Sequence, residues 1–207
     1  MAPFIDAIGS TLFPSILRSM KVGILGGTFD PVHIGHLIAA SEVHSELNLD
    51  SVVFMPAGQP WQKQDRTISS AADRLAMVSA AVQGDDRFAV SDMEVQRSGP
   101  TYAVDTAKQW LLANPTDEIY WIVGSDALAG ITTWHEWEEF VSLVTVVSVN
   151  RSGHSHTVPF EYVSIAMPEV RISATDLRDR FATEADTRYL TPDAVRQVVL
   201  ERGLYKS

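Results

Sequence analysis

Five short apolar runs, each separated from the next by a helical-period or polar segment, constrain this chain more than any other feature. They are KVGIL (Lys21–Leu25), SVVFM (Ser51–Met55), RFAVSD (Arg87–Asp92), EIYWIVG (Glu118–Gly124) and VTVVSV (Val144–Val149). Runs this short and this apolar suit strands buried on both faces, which is the signature of a parallel sheet. Between them the spacing predicts helices from about Val32 to Leu47, from Ser70 to Val82 and from Tyr102 to Ala113. Strand and helix in alternation predict a doubly wound α/β fold, in which ligands bind at the carboxyl ends of the strands where the strand order reverses. From Ser173 onward two short helices are expected, the second opened by Thr191-Pro192.

The 207 residues suffice for one sizeable domain, and no repeat or linker divides them. With 26 acidic against 16 basic side chains the net charge is -10, which argues against a broad nucleic-acid or anionic-membrane surface but allows a local anion pocket. There is no cysteine, so disulfides and thiolate metal sites are excluded. Residues 1–19 are moderately apolar but broken by Gly9 and Pro14 and lack a basic leader. They fit neither a signal peptide nor a membrane span. They are expected to be a disordered extension, with Met20 as the working start and a cytoplasmic location for the rest.

The stretch GGTFDPVHIGHL (Gly26–Leu37) joins the first strand to the first helix. Gly26 and Gly27 permit a tight turn and close approach of a ligand to the backbone. The helix start behind them offers unpaired N–H groups and a positive dipole end, a natural anion site. His33 and His36 are three residues apart, on one helical face, with Gly35 between them to admit a ligand. A metal site would need a third ligand, and none is adjacent, so no metal-binding residue is expected here. The glycine spacing is not that of the dinucleotide-binding fingerprint.

These residues resemble the nucleotidylyltransferase signature, whose core is His33-Ile34-Gly35-His36. Downstream, GPTYAVDT (Gly99–Thr106), WIVGSDAL (Trp121–Leu128), TTWHEW (Thr132–Trp137), ISATDLRDR (Ile172–Arg180) and YLTPDAV are similar to bacterial nicotinate-nucleotide adenylyltransferases. The resemblance covers nearly the whole chain after the extension. It implies a Rossmann-like sheet with a small C-terminal helical part, a single domain over residues 20–207, and transfer of the adenylyl group of ATP to nicotinic acid mononucleotide in NAD synthesis. It implies Mg²⁺ arriving with ATP, small-molecule partners only, and leaves homo-oligomerisation open. Many members carry His-Lys or His-Arg in the loop after the second strand, where this chain has Gln62-Lys63; Lys63 is expected to contact phosphate.

In such a reaction the nucleophile is a phosphate oxygen already ionised at neutral pH, so no general base is needed. Catalysis is positional and electrostatic. His33, His36, Arg178 and Lys63 are therefore the expected catalytic residues, the histidines as donors to the ATP phosphates in their charged form. Gly26, Gly27, Thr28, Phe29, Gly35, Gly124, Asp126, Ser173 and Thr175 complete the expected ATP site; Ser173 and Asp126 are also placed to cap helices. Asp30, Thr101, Tyr102, Asp105, Trp134 and His135 are expected on the mononucleotide side, with Trp134 stacking on the pyridine ring while Trp137 packs. His44 is read as structural, and His154 and His156 as part of a solvated loop, SGHSH. The rival readings are an adenylyl- or cytidylyltransferase for another phosphate acceptor, such as nicotinamide mononucleotide, and a non-catalytic nucleotide sensor. Aminoacylation would need a lysine motif and an RNA surface that are both missing.

Overall fold

The computed structural model describes residues 19–59, 68–151 and 157–206. Six strands form one parallel sheet: β1 (Lys21–Gly27), β2 (Ser51–Pro56), β3 (Phe88–Val90), β4 (Glu118–Gly124), β5 (Thr145–Arg151) and β6 (Val163–Met167). Their spatial order is β3-β2-β1-β4-β5-β6, so the direction of winding reverses between β1 and β4. The five expected strands are present. β6 was not legible, because its pattern alternates (Ser164 and Ala166 between Val163, Ile165 and Met167) at the sheet edge instead of running apolar throughout.

Burial on both faces explains the strand composition. From β1, Val22 and Ile24 enter one core layer with Val53, Trp121 and Val146. Leu25 enters the other with Phe54, Ile122 and Val147. The first layer is closed by α4 (Ala103–Ala113), α5 (Ser125–Gly130) and α6 (Trp137–Leu143), through Val104, Ala107, Leu128 and Phe140. The second is closed by α1 (Ile34–Leu47), α2 (Ala71–Val82) and α8 (Asp193–Glu201), through Ala40, Val43, Met77, Val78, Val195 and Val199. A one-turn helix, α3 (Met93–Gln96), follows β3, and α7 (Ala174–Ala182) precedes α8. Ser70 caps α2 by accepting from the Asp73 N–H at 3.1 Å, as its spacing predicts. Among the described residues no helix is long and apolar enough to cross a membrane.

Two buried polar groups hold the loops at the carboxyl edge of the sheet. Arg74, 1% exposed, donates to the carbonyls of Ser69 (3.1 Å), Thr28 (2.9 Å) and Gly58 (3.0 Å), tying the loops after β1 and β2 to the start of α2. At Gly58 only glycine fits, since a Cβ would stand 2.1 Å from the Glu94 carbonyl oxygen. Glu94, 5% exposed, accepts from the Thr106 hydroxyl at 2.7 Å and so joins α3 to the first turn of α4.

Burial pushes the Glu94 carboxyl up from 4.5 to about 7, against the opposing pull of the Thr106 hydroxyl and the Arg97 and Arg74 charges. The folded chain therefore holds this proton more tightly than the unfolded chain. Stability is fully present below about pH 4.5 and falls as the pH rises through about 7. The loss is about 3 kcal/mol at most. Glu94→Gln is expected to remove that slope: its urea midpoint should gain on the wild type between about pH 5 and pH 8. Parallel pH profiles for the two proteins would show that Glu94 is not the titrating group.

Candidate active site

The loop after β1 reaches the sheet edge at the point where the winding reverses. Phe29 has φ 51°, in the left-handed region, a conformation that costs a non-glycine residue about 1–3 kcal/mol. Burial of its ring offsets this: it lies 5.9 Å from Phe54 and edge-on to His36 at 5.1 Å. Asp30 is joined to Pro31 by a cis peptide and is 1% exposed. His33 then serves as the N-cap of α1 in an extended conformation, one step outside the helix that the sequence spacing assigns to it.

The two imidazoles stack with centroids 3.7 Å apart and planes 19° from parallel. His36 Nδ1 accepts from the His33 backbone N–H at 3.1 Å. A nitrogen that accepts carries no proton, so this bond fixes the tautomer and makes Nε2–H the donor. Gly35 makes room for the His33 ring: a Cβ there would stand 3.1 Å from His33 Nδ1. Among the described residues His33 Nδ1 is buried without a hydrogen-bond partner.

The charged state expected for His33 beside phosphate is not that of the ligand-free ring. In the ligand-free protein burial lowers its pKa from 6.5 to about 4, outweighing the opposing hydrogen bond that the ring donates to its own backbone, so the ring is neutral at physiological pH. Spacing alone could not reveal this, because the burial comes from the stacked partner ring and the loop folded over it.

Beside the pair opens a cavity of about 900 Å³. One wall is Gly26, Gly27, Thr28, His33, Gly35 and His36, and the facing wall is Gly124, Ser125 and Asp126 at the end of β4. The far end carries Thr101, Tyr102, Trp134 and His135, with the Tyr102 and His135 rings 4.3 Å apart. No side chain caps the start of α4 at Tyr102. Trp134 follows a 3₁₀ turn, packs 5.6 Å from Phe140 and lines the cavity, whereas Trp137 packs on Phe160. Asp126 stands exposed in the first turn of α5, behind an N-cap that is Gly124 rather than itself.

Several expected residues stand elsewhere. Phe29, expected in the ATP site, and Asp30, expected on the mononucleotide side, are both buried within the histidine loop. Asp105 lies in the first turn of α4, outside the cavity wall. Ser173 caps α7, accepting from the Asp176 N–H at 3.1 Å, and the wall ends one residue earlier at Ile172. Arg178 donates through Nη1 to the Asp30 carbonyl (2.8 Å) and through Nη2 to the Thr175 hydroxyl (3.0 Å), so in this state it braces the loop. Lys63 and its neighbour Gln62, like His154 and His156, lie outside the described residues.

Sequence reasoning missed Arg74, Glu94 and Asn150. Asn150 is 7% exposed, lines the cavity and donates to the Ser164 hydroxyl at 2.9 Å. A signal existed for Arg74, a cation three and four residues before the core positions Met77 and Val78 on the same helical stripe. None existed for Asn150, whose partner is on the edge strand.

Comparison with known proteins places this geometry. The cytidylyltransferase-like family model matches residues 24–180. A protein of Frankia casuarinae named probable nicotinate-nucleotide adenylyltransferase is 46% identical over 187 residues, covering 88% of this chain and 98% of that protein. One of Streptomyces coelicolor with the same name is 45% identical over 186 residues, covering 88% and 99%. The solved structure of Plasmodium falciparum nicotinic acid mononucleotide adenylyltransferase complexed with NaAD matches with a TM-score of 0.76 at 19% identity, over 90% of this chain and 97% of that one. That last likeness is one of fold. The family match runs from β1 to α7 and takes in the stacked histidines and both cavity walls; the chain belongs to the cytidylyltransferase-like family, close to proteins named nicotinate-nucleotide adenylyltransferases.

Proposed function

We propose that this protein transfers the adenylyl group of ATP to nicotinic acid mononucleotide, releasing pyrophosphate and forming nicotinic acid adenine dinucleotide for NAD synthesis. The observation that carries the reading is the stacked His33–His36 pair at the β1/β4 reversal, facing a cavity that continues to an aromatic far end. The names of the 45–46% identical relatives support the choice of substrate.

A phosphate oxygen of the mononucleotide attacks the α-phosphorus of ATP in line. The bond from that phosphorus to the bridging oxygen breaks, and pyrophosphate leaves with the electron pair. No proton is removed from the nucleophile, so no side chain need act as base. ATP enters as its Mg²⁺ complex, and the ion draws charge from the phosphates on which it arrives. His36 Nε2–H and the neutral His33 ring meet the phosphates as donors, aligned before the substrate arrives by the cap bond and the stacking. Asp126 and the carboxyl end of β4 face the nucleoside, while Trp134 offers an aromatic face to the pyridine ring. The uncapped start of α4 near Thr101 and Tyr102 favours a carboxylate over an amide. Lys63 remains our expected contact to phosphate. The reading carries with it a cytoplasmic setting, where both nucleotides are found.

His36→Ala is expected to lower turnover by at least about a hundredfold, the usual cost of losing one transition-state donor, with an unchanged circular dichroism spectrum. Turnover near that of the wild type would remove His36 from the mechanism. Catalytic efficiency is expected to favour nicotinic acid mononucleotide over nicotinamide mononucleotide; a preference for the amide would replace the acceptor but keep the chemistry. Retained nucleotide binding with no pyrophosphate from either acceptor would instead favour a sensor.

A further inference from the structure

Four contacts reach the histidine loop from the last thirty residues of the chain. Tyr205 donates its hydroxyl to Asp30 Oδ1 at 2.7 Å, across 175 residues of sequence. Arg178 donates to the Asp30 carbonyl at 2.8 Å. The Thr191 hydroxyl, buried, donates to the Val32 carbonyl at 2.8 Å, and the Ile34 N–H donates to the Leu190 carbonyl at 3.1 Å. Together they hold the backbone on both sides of His33, at residues 30, 32 and 34. None of the four belongs to the cavity wall.

We propose that the C-terminal segment is the template of the histidine loop, and that Tyr205 and Thr191 are positioning residues for His33 and His36. The force runs through Asp30: fixing its carboxylate fixes Phe29, whose left-handed backbone sets the ring edge-on against His36. Left unheld, a loop carrying this strain relaxes. Val32 and Ile34 flank His33 directly, so the Thr191 and Leu190 bonds set where the N-cap sits. The Tyr205 ring is itself anchored, stacked on Phe181 at 5.8 Å, while Arg202 ties the same tail to α2 through Asp73 at 2.7 Å. The end of the chain is thereby pinned to the core and to the loop at once.

The effect on turnover rests on the proposed adenylyl transfer; the effect on the histidines does not. Tyr205→Phe removes one hydroxyl and keeps the stacked ring. Its kcat is expected to fall roughly tenfold, with KM for both substrates changed less than about threefold, because misplaced donors are felt in the transition state. Arg202→Ala loosens the same tail without touching Asp30 and should leave kcat within about twofold of wild type. Imidazole ¹⁵N shifts of the full-length, ligand-free protein supply a readout independent of substrate. In wild type His36 Nδ1 should show an unprotonated acceptor, and in Tyr205→Phe the two nitrogens should move toward the averaged values of a free ring. Unchanged kcat and unchanged shifts in Tyr205→Phe would overturn the proposal, as would an equal loss of kcat in Arg202→Ala. If Tyr205→Phe fails to fold, Thr191→Val decides: it should show the same losses, and Thr191→Ser, which keeps the donor, should restore them. A wild-type protein that turns over neither mononucleotide would sink the proposed reaction, while the shifts would still judge the template.

Discussion

A single guanidinium, that of Arg74, holds the carboxyl edge of the sheet together. It is buried and spends three donors on three backbone carbonyls, Thr28 in the loop after β1 and Gly58 and Ser69 at the two ends of the connection from β2 to α2. A charge so placed is tolerable only because those carbonyls surround it and because the Asp30 carboxylate lies near enough to offset it. The exchange runs both ways: without the arginine the carbonyls of Thr28 and Gly58 would lose this donor. Loops are ordinarily the least ordered part of an α/β fold. Here the first of them is held from α2 below and from the C-terminal helices above.

That rigidity suits electrostatic catalysis. Donors help a phosphoryl transfer only if they already point where charge will develop. The His33 N–H to His36 Nδ1 bond and the ring stacking set both imidazoles before any ligand is present, and burial keeps His33 neutral. With His33 neutral, the two rings at 3.7 Å avoid the repulsion that two imidazolium rings would suffer at that separation. In the proposed reaction the acidic body of the protein, at net charge -10, would offer its polyanionic substrates a local set of donors.

The sheet was readable because burial on both faces imposes continuous apolar runs, and four of the five expected strands are of that kind in the core. β6 escaped because an edge strand is half-exposed and alternates. α5 and α6 escaped because neither exceeds seven residues, too short to display a helical period. The cavity wall was legible where a residue's role depends on local spacing: Gly26, Gly27, His33, Gly35 and His36 in one stretch, Gly124 and Asp126 in another. At Phe29, Asp30 and Arg178, whose chemistry suits a ligand equally well, the partners in this structure are protein.

The sequence by itself determined the alternation of strands and helices, the turn after β1 and the chemistry of its two histidines, because each of these depends on neighbours within a few residues. Only the tertiary structure decided that His33 is neutral, that Arg74 and Tyr205 grip the loop, and that Asp30 faces inward. Those outcomes turn on burial and on bonds spanning 46 to 175 residues of chain. Hydrogen bonds of that reach leave no periodic trace in the sequence, since only the completed fold brings their two ends together.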